Sequence, residues 1–188
     1  MKNLKNMKNL KFLTAALVTS SLFIGCSKDD DPQPVNEEEV ITTMTVTLQP
    51  EGGGTDVILE FRDLDGDGPD EPEITNGNLT AGVTYSGSIV LLNEAEEPAE
   101  NITEEVEGEN LEHQFFFTVG GGLDVTISEE NLDDENNILG TTFTLTAGTV
   151  SSGEFTFTLV HEPTKPNDGL ESAGGETDIS VTFDVSVE

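Results

Sequence analysis

The chain has 188 residues, with 38 acidic residues against seven basic ones, two histidines, one cysteine and no tryptophan. So large an excess of negative charge repels nucleic acid phosphates, which excludes nucleic acid as a partner. A single cysteine excludes an internal disulfide and a cysteine-rich zinc site, and the length allows one domain with a real core but not two lobes around a cleft.

Residues 1–25 are predicted to be a secretory signal peptide. Four lysines precede the apolar run 12–25, which is shorter than the roughly 20 residues that a membrane-spanning helix needs. Cys26 follows Gly25 directly, an arrangement similar to the bacterial lipobox, although Phe23 stands where leucine is usual. We therefore expect Cys26 to be lipidated and to anchor the protein in a membrane. The alternative is an ordinary secreted protein with a stray thiol.

Residues 26–39 are polar, contain prolines and show no apolar period, which predicts a disordered acidic tether. The tether begins with Lys28, Asp29 and Asp30 shortly after the cysteine. This pattern looks like the surface-export signal of flavobacterial lipoproteins. The resemblance implies the outer membrane, with the protein facing the cell exterior.

Residues 40–188 are predicted to form one all-β domain, because apolar residues recur there with period two. Threonine-rich outward positions and glycine turns favour an antiparallel, immunoglobulin-like β-sandwich of about eight strands. Two hairpins are expected, one at the turn 120–122 and one between residues 147 and 154. The strands are predicted at residues 40–48, 57–62, 83–93, 111–119, 123–127, 142–147, 154–161 and 179–187.

The acidic loop after the second strand resembles half of a calcium-binding loop. Asp63, Asp65 and Asp67 stand at positions 1, 3 and 5 of such a loop, Pro69 could offer its carbonyl at position 7, and Glu71 falls at position 9. Ile74 occupies position 12, where an EF-hand needs glutamate, so an EF-hand is rejected. A strand-loop-strand calcium site and a plain solvated acidic turn both remain open.

One short helix is predicted over residues 101–111. Asn101 or Thr103 can cap its start, Glu104 and Glu105 suit its first turn, and Gly108 limits it to two turns.

The two histidines each have an acidic neighbour, in the pairs Glu112-His113 and His161-Glu162. His113 begins its strand and His161 ends its own, so a meander would bring both to the same end of the sandwich, opposite the Asp63 loop. Two imidazoles with one or two carboxylates suit zinc or another divalent transition metal. The neighbouring glutamates are expected to raise the histidine pKa values. Strand-end packing of both histidines is the alternative.

Several motifs of the chain together resemble an uncharacterised family of small flavobacterial (Bacteroidota) surface lipoproteins. Members are sometimes labelled type 1 periplasmic binding fold proteins. The resemblance implies location and implies no mechanism. The motifs that carry it are FRDLDGDG at 61–68, EHQFFF at 112–117, HEP at 161–163 and AGGETDI at 173–179.

The expected function is a non-enzymatic, surface-exposed lipoprotein that serves as a binding or accessory module with calcium-like loops. No GxSxG, HExxH, GxGxxG or P-loop motif occurs, and no organic cofactor is expected. The alternative is a protein that captures zinc or another divalent metal for an outer-membrane, TonB-dependent transporter.

Overall fold

The structure, a computed structural model, describes residues 39–66 and 68–188. The predicted signal peptide, the lipidation site Cys26 and the export signal Lys28, Asp29 and Asp30 lie outside the described residues. Asp67 of the acidic loop also lies outside them. In the part of the chain that is described, no helix is long and apolar enough to cross a membrane.

The described residues form eleven strands and two short helices. In chain order these elements are β1 Thr43–Pro50, β2 Val57–Arg62, β3 Glu73–Thr75, β4 Gly77–Leu79, β5 Thr84–Asn93, β6 Glu100–Asn101, α1 Ile102–Gly108, β7 His113–Val119, β8 Val125–Ser128, β9 Thr142–Ala147, β10 Ser151–His161, α2 Leu170–Ala173 and β11 Glu176–Val187.

The strands build two sheets, as the predicted antiparallel β-sandwich requires. The larger sheet has the order β3-β2-β1-β5-β9-β8, with β6 paired to β5, and the smaller has the order β4-β11-β10-β7. Each pairing is antiparallel except that of β4 with β11. The prediction of a β-sandwich is therefore confirmed. Three strands too short to show a two-residue period, namely β3, β4 and β6, raise the count above eight.

The core lies between the sheets because alternate side chains of each strand point inward. Phenylalanines dominate it: the rings of Phe117 and Phe143, from opposite sheets, have centroids 4.8 Å apart. Phe157 meets Phe183 edge to face at 5.8 Å, and both are fully buried. Burial of one such side chain contributes about 1.5 to 3 kcal/mol.

Both predicted hairpins are wrong, because each turn carries the chain from one sheet to the other. β7 pairs with β10, whereas β8 pairs with β9. Gly153 of β10 makes room for the turn at 120–122, where the chain crosses from β7 to β8, since a Cβ at Gly153 would collide with the carbonyl of Gly120. Glycine turns mark where a strand ends, but they do not specify which sheet the next strand joins.

We call the end of the sandwich at which β7 begins and β10 finishes the histidine end, after His113 and His161. The acidic loop was predicted at the opposite end, and this prediction is wrong. Asp63 donates its N–H to the carbonyl of Thr42 at 2.8 Å, so the loop starts beside the beginning of β1, at the histidine end. The meander assumption failed because β3 and β4 cross the molecule between β2 and β5.

The predicted helix is confirmed in a shorter form. Asn101 stands at its N-cap, and the helix ends at Gly108 rather than at residue 111, within the expected limit of two turns. Ile102 and Val106, four residues apart, bury the inner face. The hydroxyl of Thr103 accepts the N–H of Leu91 at 2.7 Å, which fastens α1 to β5. The helix thereby places the acidic residues of its outer face and of the following turn at the histidine end.

Candidate metal centre

The two histidines lie side by side, as the sequence predicts. They are partners in the antiparallel register of β7 and β10. Their ring centroids are 4.8 Å apart and the ring planes differ by 12°. The reason is simpler than a meander, because the two strands are direct neighbours in one sheet.

His113 is fully buried, and its two ring nitrogens face different partners. Nδ1 lies 3.3 Å from the backbone carbonyl of Glu109. A carbonyl can only accept, so Nδ1 carries the proton and Nε2 presents a lone pair. Nε2 is buried and has no hydrogen-bond partner. Metal-binding histidines have the same arrangement, with one nitrogen held by a backbone carbonyl and the other left to bind the ion.

Carboxylates surround this free nitrogen. Oε1 of Glu39 lies 3.6 Å from Nε2, and Oδ2 of Asp178 lies 3.8 Å from it. These distances are too long for hydrogen bonds. One ligand atom from each of Glu39, Glu109 and His113 lies within 4.8 Å of the other two. We call Glu39, Glu109, His113 and Asp178 the inner cluster.

Burial shifts the pKa values of Glu39 and His113 in opposite directions. Burial raises the pKa of Glu39 to about 7, with further increases from the negative charges of Glu105, Asp178 and Glu109. Burial lowers the pKa of His113 below its ordinary value, and this outweighs the hydrogen bond to Glu109 and the nearby carboxylates. Glu112 acts to raise the pKa of His113, as expected, but burial outweighs this effect and the net shift is downward. A neutral imidazole is the form that binds a metal.

The remaining predicted residues form a second, more exposed group. Nε2 of His161 lies 3.8 Å from Oε2 of Glu112, and ligand atoms of Glu112, His161 and Glu162 all lie within 4.8 Å of one another. We call these three the outer cluster. An ion lies in the plane of each imidazole that binds it, and stacked rings have separate planes. In this arrangement the two histidines do not share one ion, so the predicted four-residue set divides between the clusters.

A β-bulge brings Asp178 into the inner cluster. The register of β11 with β10 shifts between Leu159 and Val160, so that Ile179 faces Leu159 and Thr177 faces Val160. Asp178 is the extra residue between them, and its side chain is 1% exposed. A bulge redirects a side chain that regular alternation would place elsewhere.

Lys165 holds the backbone of the site in place through hydrogen bonds and an ion pair. Its Nζ donates to the carbonyls of Asn110 and His113 and forms a 3.0 Å ion pair with Asp133. Burial acts to raise the pKa of Asp133. Hydrogen bonds from Asn137 and Lys165 act to lower it, and together with the other hydrogen bonds they outweigh burial, so the pKa lies below its ordinary value. Lys165, in the segment after β10, thereby ties the turn before β7 to the loop between β8 and β9.

In the acidic loop the carboxylates of Asp63 and Asp65 accept hydrogen bonds from backbone N–H groups of the same loop. Oδ1 of Asp63 accepts the N–H of Gly66 at 3.0 Å, and Oδ2 of Asp65 accepts the N–H of Asp70 at 3.3 Å. Pro69 and Glu71 are exposed. Among residues 39–66 and 68–188, groups of three ligand atoms gather only in the two histidine clusters. Because Asp67 lies outside the description, a calcium site here stays a prediction.

Comparison of the chain with family models, with curated proteins and with solved structures gives no match.

Proposed function

We propose that this protein is a non-enzymatic, lipid-anchored protein of the outer membrane that binds a divalent transition-metal ion of the zinc class at the histidine end. One observation carries the proposal: a fully buried imidazole presents an unpartnered Nε2 to a set of carboxylates. Burying a polar atom without a partner costs roughly 1 to 3 kcal/mol, and a bound ion would remove that cost.

The distances between Nε2 of His113 and the carboxylate oxygens of Glu39 and Asp178 suit the binding of one ion. Two ligand atoms, each about 2.0 to 2.2 Å from zinc, lie about 3.3 to 3.6 Å apart at tetrahedral angles. The observed 3.6 Å and 3.8 Å from Nε2 to Glu39 and Asp178 need only a small contraction. One imidazole with several carboxylates suits zinc and its neighbours in the first transition row.

The surroundings favour capture of a cation. The acidic loop, the turn after α1 and the loop carrying Asp133 all lie at the histidine end, and clustered negative charge raises the local cation concentration. An outer-membrane transporter that receives the ion is the partner we infer. The alternative, an accessory module that binds calcium at Asp63, Asp65 and Glu71, draws support from the sequence pattern alone.

Calorimetric titration of the full-length protein with zinc tests the proposal. We expect one tight site that His113→Gln weakens at least about tenfold, because the central nitrogen ligand is lost. The matched control is His161→Gln, which removes the other imidazole and should leave the tight site within a few-fold of the parent.

Circular dichroism should show that both variants keep the β-sandwich. Undiminished zinc binding by a folded His113→Gln protein would contradict the proposal, as would an absence of zinc binding by the parent.

A further inference from the structure

Glu39 occupies the inner cluster although the apolar core does not hold it there. It is the first residue that the structure describes, and Val40 beside it is 59% exposed. Ile41 is the first residue that packs against the core, and Thr42 is the first that bonds to β5, through its N–H and the carbonyl of Leu92 at 3.0 Å. The glutamate side chain nevertheless reaches inward and is only 12% exposed.

The environment of Glu39 is unfavourable for a carboxylate without a cation. Oε2 is buried and has no hydrogen-bond partner. Glu105, Glu109 and Asp178 add negative charge from α1, from the turn after it and from β11. Burial lowers the pKa of the facing His113 and so disfavours its charged form, and the opposing effect of His161 on the pKa of Glu39 is the smallest of those acting on it. Burying an ionised group without a compensating partner is strongly unfavourable.

We propose that Glu39 is a ligand of the ion bound at His113, and that the ion thereby fastens the segment before β1 to the sandwich. The inference rests on the proposed function. Glu39 meets both requirements of a ligand, since Oε1 lies 3.6 Å from the free Nε2 and the residue belongs to the three-ligand group with Glu109.

Binding of the ion and docking of the segment before β1 are coupled. An ion that binds only when Glu39 is docked stabilises the docked segment by mass action, and a segment that stays docked raises the affinity for the ion. Occupancy of the site thus affects residues 39–41, while β1 itself stays paired in either state.

Amide hydrogen exchange of the full-length protein, followed residue by residue by NMR with and without zinc, tests this inference. We expect zinc to slow exchange of the amides of Val40 and Ile41 at least about tenfold. The amide of Thr42, already bonded to β5, serves as the internal reference. Glu39→Gln keeps the size of the side chain but removes its charge, and we expect it to weaken zinc binding at least about tenfold and to abolish the effect of zinc on exchange.

The matched control is Glu51→Gln, which changes an exposed glutamate in the turn after β1 and should alter neither measurement. Zinc binding that needs His113 but is unchanged in Glu39→Gln would overturn this inference and leave the proposed function intact. Unchanged exchange at Val40 and Ile41 in the zinc-bound parent would overturn it as well. A parent protein that binds no zinc would instead overturn the proposed function.

Discussion

Among single residues, Glu39 is where a proton would compete with the proposed ion. Burial and neighbouring carboxylates raise the pKa of Glu39 to about 7, whereas burial lowers that of His113. Only the carboxylate form of Glu39 can bind a metal, and the raised pKa means that this form is lost below about pH 7.

We therefore predict that zinc affinity falls by up to about tenfold for each pH unit below 7, as one proton must be displaced. Calorimetry from pH 5.5 to 8 measures it. Glu39→Gln should flatten this dependence while binding more weakly throughout. A decline that persists unchanged in Glu39→Gln would assign the titrating group to another residue.

The residues of the site were predictable only where the sequence pattern reports position. His113 and His161 each continue an apolar face at a strand end, so their convergence follows from strand directions. Asp178 enters the inner cluster through a bulge, and an extra residue in a strand leaves no mark on alternation. Glu39 belongs to a polar run that resembles a tether. Its burial was not predictable from that run, because it depends on contacts with distant elements rather than on its neighbours in the chain.

At the scale of elements, Lys165 joins three segments. Its ammonium group contacts the carbonyls of Asn110 and His113 and the carboxylate of Asp133, and the side chains of the ion pair are 6% and 0% exposed. We predict that Lys165→Met lowers the free energy of unfolding by about 3 to 5 kcal/mol, because the substitution leaves a buried carboxylate unpaired. Urea denaturation at neutral pH measures this loss.

Arg62 provides the matched control, since its ion pair with Glu94 has a distance of 2.6 Å but side chains 37% and 27% exposed. Arg62→Met should cost much less, because solvent screens an exposed pair. Similar losses in the two variants would show that burial does not decide the contribution of these ion pairs.

The positions of the strands were largely predictable from the sequence, whereas the pairing of the strands was not. The alternation of Met44, Val46 and Leu48 predicts the inner face of β1, and all three are fully buried. The double-faced apolar character of residues 83–93 predicts the interior position of β5, which lies between β1 and β9. Pairing depends on contacts across the sandwich, so the turn at 120–122 was compatible with a hairpin and with a crossing alike.

For the molecule as a whole, the proposed lipid anchor at Cys26 would decide where the proposed metal site operates. Cys26 is the only thiol of the chain and directly follows the apolar run. We predict that Cys26→Ser releases the protein from membranes and abolishes labelling with fatty acid, measured by fractionation and metabolic labelling. Purified soluble variant should bind zinc as the parent does, because the inner cluster begins at Glu39. Labelling that continues in Cys26→Ser would exclude the lipoprotein interpretation.

The chain enters and leaves the sandwich at opposite ends. Glu39 lies at the histidine end, while the terminal Glu188 bonds to Leu79 and Ala81, beside the far ends of β10 and β11. A group attached at Glu188 would therefore lie at the end of the sandwich that is far from the inner cluster.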